Sequence, residues 1–75
     1  MKKEFKVFVV ELFKGFEVVE ILFANNLNEF KGDKLTREDY EGWDDEADSI
    51  EFDYDFVIVD EDDNCMLYFI KEKEM

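Results

Sequence analysis

The sequence has no histidine, no proline, one cysteine (Cys65) and three glycines in 75 residues. Without histidine the commonest general base and metal ligand is missing, which argues against an enzyme. A single cysteine rules out an intramolecular disulfide and fits a reducing compartment. No apolar run approaches the ~18–20 residues of a membrane span. Two lysines precede the first apolar stretch, but Glu4, Lys6 and Glu11 break it and no small-residue cleavage site follows. No secretory leader is expected, and the expected location is the cytoplasm.

The largest shortage is of positive charge. Residues 38–70 hold 14 acidic residues and no Lys or Arg. The first 37 residues carry seven basic and six acidic groups, and Lys71-Glu72-Lys73-Glu74 cancels. The formal net charge of −13 therefore belongs to one segment. Such a field repels nucleic acid and anionic membrane and attracts basic surfaces. Direct binding to either is not expected; a basic protein partner is.

Hydrophobic residues make up 47% of the chain and aromatics 17%, with nine Phe. That apolar content sets the chain apart from a disordered acidic tail. One folded domain over residues 1–75 is expected.

Phe5-Lys6-Val7-Phe8-Val9-Val10 is rich in β-formers and reads as a strand. Residues 11–24 admit two readings. Leu12, Phe16, Val19 and Phe23 have helical spacing, but Val18, Val19, Ile21 and Gly15 disfavour a helix. A hairpin turning at Lys14-Gly15 would pair Leu12 with Glu17, Val10 with Val19 and Phe8 with Ile21. The hairpin is preferred. Asn25-Asn26-Leu27-Asn28 and Lys31-Gly32-Asp33 read as breaks. Thr36-Arg37-Glu38-Asp39 has capping-box spacing and starts a short helix near Arg37, which either ends early at Gly42 or frays on through Trp43 to Ala47. Ile50, Phe52, Tyr54 and Phe56 alternate with Glu51, Asp53 and Asp55, the pattern of a strand with one carboxylate face. Cys65 to Ile70 is continuously apolar and belongs inside the sheet, with Cys65 a buried, inert thiol. The expected class is α+β: a small antiparallel sheet of about four strands, built from two β-hairpins with one short helix between them.

Same-face carboxylates on a strand stand about 6.8 Å apart. Duplex DNA carries one phosphate per ~3.4 Å of each strand. The row Glu51, Asp53, Asp55, with Asp44, Asp45, Glu46 and Asp48 nearby, could then occupy a site built for phosphates. The ordinary reading is a solvated outer face, but ordinary surfaces intersperse both signs. Trp43 lies among acids, where it could serve as an interface anchor. Its competing reading, a core plug for a thin domain, is slightly preferred. Asp60, Asp62 and Asn64 match the first ligands of an EF-hand loop, but Cys65 stands where Gly is required and Lys71 where Glu is required. No metal or other cofactor is expected, and no catalytic residue.

In charge pattern the chain resembles phage and mobile-element inhibitors that mimic DNA, among them anti-restriction proteins, anti-CRISPR proteins and uracil-DNA glycosylase inhibitors. The resemblance lies in composition and layout. It implies a small inhibitor of viral type that covers the nucleic-acid-binding surface of a host protein. The alternative is an antitoxin, immunity protein or acidic adaptor that neutralises a basic protein without imitating DNA. The candidate partner-binding residues are Glu38, Asp39, Glu41, Trp43, Asp44, Asp45, Glu46, Asp48, Glu51, Asp53 and Asp55. An exposed edge strand could also pair two copies as a homodimer.

Overall fold

A computed structural model describes residues 3–11, 17–61 and 65–74, apart from the side chains of Lys3, Glu46, Asp48 and Glu74. Five strands form one antiparallel sheet: β1 (Lys3–Glu11), β2 (Val18–Ala24), β3 (Asp33–Thr36), β4 (Phe56–Asp60) and β5 (Met66–Glu74). Their spatial order is β2-β1-β5-β4-β3. Between β3 and β4 the chain forms the helix α1 (Arg37–Trp43) and a 3-10 helix (Asp45–Ser49). Among the described residues a small antiparallel sheet with one short α-helix is thus present, but the strands number five rather than about four. Among the described residues no helix is long and apolar enough to cross a membrane.

The strand that sequence patterning does not reveal is β3. Its four residues include Asp33 and Lys34, poor strand formers, and only Leu35 is partly buried. Pairing with β4, from Asp33 opposite Val59 to Thr36 opposite Phe56, imposes the extended form. Gly32 makes this pairing possible. Its φ is +150°, and a Cβ there would fall on the Val59 carbonyl oxygen and 2.7 Å from the Val59 carbonyl carbon. Gly32→Ala should therefore cost about 1–3 kcal/mol, read as a lower urea midpoint. Unchanged stability would show that the β3 edge can shift freely.

The hairpin reading of residues 11–24 holds where the chain is described. Phe8 stands opposite Ile21, and residues 18–24 are strand rather than helix. Val10 faces Val18 instead of Val19, because a bulge leaves Val19 as an extra residue. The expected turn at Lys14-Gly15 and the Leu12–Glu17 pair lie outside the described residues.

The alternating row at residues 50–55 is not a strand; β4 begins only at Phe56. Its alternation is nevertheless real in burial. Tyr54 and Phe56 are buried, Ile50 and Phe52 half-buried, and Glu51, Asp53 and Asp55 exposed. The Asp55 N–H donates to the Ile70 carbonyl at 2.8 Å. The Asp55 carboxylate then accepts the Glu72 N–H at 2.8 Å, serving β5 with a side chain in place of a further strand carbonyl. Upstream of Asp55 the chain lies across the sheet rather than in it. Phe52 stacks on Phe8 at a centroid distance of 4.5 Å, and Tyr54 meets Phe69 edge-on at 5.0 Å.

Both faces of the sheet are covered. On one, Phe8, Val10, Val57, Val59, Leu67 and Phe69 pack beneath Tyr40, Ala47 and Tyr54. On the other, Val7, Val9, Phe56, Ile58 and Ile70 meet Leu27 and Phe30 from the loop after β2. This explains why β4 is buried at every position and β5 reads as a continuous apolar run. Cys65 departs from expectation. It is exposed, sits at φ +53° just before β5 begins, and its thiol donates to the Glu61 carbonyl at 3.6 Å. Asp60 ends β4 and stands opposite Met66 at the start of β5, so β4 is followed by an antiparallel strand and not by a helix. Asp62 and Asn64 lie outside the described residues.

Candidate protein-binding surface

Residues 37–55, between β3 and β4, form the acidic layer over one face of the sheet. Thr36 caps α1, its Oγ1 accepting the Asp39 N–H at 3.1 Å. Glu38 and Asp39 occupy the first turn, where the helix dipole favours negative charge. Tyr40 turns inward and is fully buried, with its ring edge-on to Phe69 at 5.3 Å. Its hydroxyl donates to Asp44 Oδ2 at 3.0 Å. Burial, reinforced by Asp44, pushes the Tyr40 hydroxyl far above the usual phenol range. Tyr40 is therefore the plug of the thin domain, and Trp43 is not. The Trp43 side chain is 52% exposed, with its ring 5.7 Å from that of Tyr40. Together with Asp33, Leu35, Val59 and Glu61 it lines a cleft of about 130 Å³ beside the β3 edge.

The candidate carboxylates fall into four groups. Glu38, Asp39, Asp45 and Glu51 are exposed and join no ion pair among the described residues. Glu41, Asp53 and Asp55 are exposed but engaged. Arg37 binds Glu41 at 3.2 Å and Asp53 at 2.7 Å, while Lys71 binds Asp53 at 3.0 Å and Asp55 at 3.3 Å. Asp44 is half-buried and held by Tyr40. Glu46 and Asp48 lie on the 3-10 helix, with their side chains outside the description.

The network corrects one expectation: the row Asp53 and Asp55 is not a bare carboxylate face. Lys71 first, then Arg37, holds the Asp53 carboxyl below its ordinary range. Asp53 and Asp55 raise Lys71, and Glu41 with Asp53 raises Arg37. Arg37 also reaches the Tyr54 carbonyl at 3.4 Å, with its guanidinium 4.8 Å from the centre of that ring. Each pair is solvent-exposed, so the network adds little stability. It does tie Asp53 to α1 and to β5, and Asp55 to β5. Arg37 and Lys71 are the cations that immediately flank the cation-free stretch, and that flanking position was the available signal. Asp33 and Glu61, which bring acid to the Trp43 cleft, carried none.

A larger cavity of about 390 Å³ opens on the opposite face, between β2 and the loop bearing Glu29 and Phe30. None of the candidate residues lines it. Among the described residues no group of three His, Cys, Asp or Glu is placed to hold a metal ion. No protein-family model, curated protein or solved structure matches the chain.

Proposed function

We propose that this chain is a small acidic inhibitor that covers the positively charged nucleic-acid-binding surface of a target protein. The observation that carries the reading is the exposed Trp43, lining a cleft with Asp33 and Glu61, on a layer where Glu38, Asp39, Asp45 and Glu51 join no ion pair among the described residues. Trp supplies desolvated contact area, and carboxylates supply charge-assisted bonds to Lys and Arg. A cation seated against the indole face would gain from both. In this reading the chain is not an enzyme, and it acts in the cytoplasm as a phage or mobile-element product.

One observation favours a second reading, in which the chain neutralises a basic protein without imitating DNA. Residues 50–55 are not a strand, and Asp53 and Asp55 are engaged by Arg37 and Lys71. A regular row at phosphate-like spacing is therefore not built there. Capture of the partner from host lysate, with elution by salt, identifies the target. Binding is then measured with and without saturating duplex DNA. The inhibitor reading expects competition and a steep loss of affinity with salt. Full binding in the presence of saturating duplex would overturn it and leave the neutraliser.

A further inference from the structure

The two edges of the sheet differ in kind. The β3 edge is four residues long and carries Asp33 and Lys34, two features that discourage a foreign strand from pairing. The β2 edge is seven residues long, Val18–Ala24, with Glu20 its only ionisable residue. Beyond β2 no strand pairs among the described residues. Among the described residues, three of the four exposed large hydrophobics lie on it: Val19 at 52%, Ile21 at 48% and Phe23 at 63%. Ile21 and Phe23 stand opposite Phe8 and Lys6. The cover on that face reaches Phe8 through the stacked Phe52; Ile21 and Phe23 belong to neither buried cluster.

We propose that β2 pairs antiparallel with β2 of a second copy, joining two five-stranded sheets into one. Charge selects this occupant. Ten of the 14 acids of residues 38–70 belong to residues 38–55, the layer that packs over one face of the sheet as far as Phe8 of β1, whereas β2 lies at the edge opposite β3, beside Lys6. Two molecules of net charge −13 repel wherever their acidic layers meet, and the β2 edge is the approach that keeps those layers apart. The sequence of β2 also suits its own reverse. A two-fold axis at Ile21 sets Ile21 against Ile21 and Phe23 against Val19, favourable aromatic and β-branched neighbours. Glu20 then faces Leu22 of the other copy, so the two carboxylates are not directly opposed. Three large side chains about half open to water offer on the order of 300 Å² per copy. A standard interface uses ~800 Å² per partner, so the dimer is weak and concentration-dependent.

Sedimentation equilibrium of the intact chain over a wide concentration range tests this. The mass should rise from 9.1 kDa towards twice that value, and moderate salt should strengthen association by screening like charge. Ile21→Lys should weaken dimerisation at least tenfold with an unchanged circular dichroism spectrum. If that variant does not fold, Phe23→Lys at the more exposed position serves the same purpose. Amide exchange along β2 in the unaltered chain should slow as concentration rises. A mass of 9.1 kDa at every concentration and salt level would overturn the proposal. So would a dimer that survives both substitutions, or protection that rises at β3 instead. If β2 instead serves a strand of another protein, the purified chain stays monomeric, which also refutes the pairing.

Discussion

Phe69→Ala should cost about 3–5 kcal/mol, the range for emptying a buried aromatic site. Phe69 is fully buried on the central strand β5. Its ring meets Tyr54 at 5.0 Å, Phe52 at 5.1 Å and Tyr40 at 5.3 Å. Those three residues are how the acidic layer grips the sheet. A domain of 75 residues has a total stability of roughly 4–11 kcal/mol. Removing this ring should therefore halve the stability or abolish the fold, seen as a collapse of the urea midpoint with Trp43 fluorescence as the probe. Tyr54→Phe is the control. The Tyr54 hydroxyl is buried with no hydrogen-bond partner among the described residues, so its removal should leave stability level or higher. A loss under ~1 kcal/mol for Phe69→Ala would mean that the acidic layer is not anchored through it.

The same residues show what the sequence made readable. The Thr36 cap and the buried β4–β5 pair follow from local spacing, while the β1–β2 pairing follows from the β-branched residues 18, 19 and 21 against a competing helical spacing, without its bulge at Val19. Residues 50–55 misled because alternation reports an extended chain lying on an apolar surface, whichever neighbour supplies its hydrogen bonds. Here Asp55 N–H still donates to the Ile70 carbonyl, but the next bond to β5 is made by the Asp55 carboxylate, which accepts the Glu72 N–H. β3 was hidden for the opposite reason: its conformation comes from β4, not from its own residues. Arg37 and Lys71 each reach an Asp 16 residues away, Asp53 and Asp55 respectively. Only the folded backbone brings such partners together.

The acidic surface therefore divides into charges that hold the layer and charges left for a partner. Asp55 accepts the Glu72 N–H and the Lys71 ammonium, and Asp53 bridges Lys71 and Arg37. Asp53→Lys/Asp55→Lys would set four cations together and strip Glu72 of its acceptor. That variant tests the fold as much as the function. Glu38 and Asp39 are exposed and outside the network.

Glu38→Lys/Asp39→Lys, combined with Trp43→Ala, should lower affinity for the captured partner by at least 100-fold at low salt. Truncating an interface Trp alone costs about 2 kcal/mol or more, roughly 30-fold. The two reversals add a charge change of four units against a basic surface and act mainly on association rate, so their share should shrink as salt rises. Stability should fall by only about 1 kcal/mol, since the first turn of α1 loses its favourable dipole partners while Tyr40 and the Thr36 cap remain. Calorimetric titration against the partner, with circular dichroism of each variant, separates the two effects. A folded triple variant that binds as tightly as the unaltered chain would remove α1 and Trp43 from the interface. If Asp53→Lys/Asp55→Lys alone then abolished binding while still folded, the contact would belong to residues 50–55 instead.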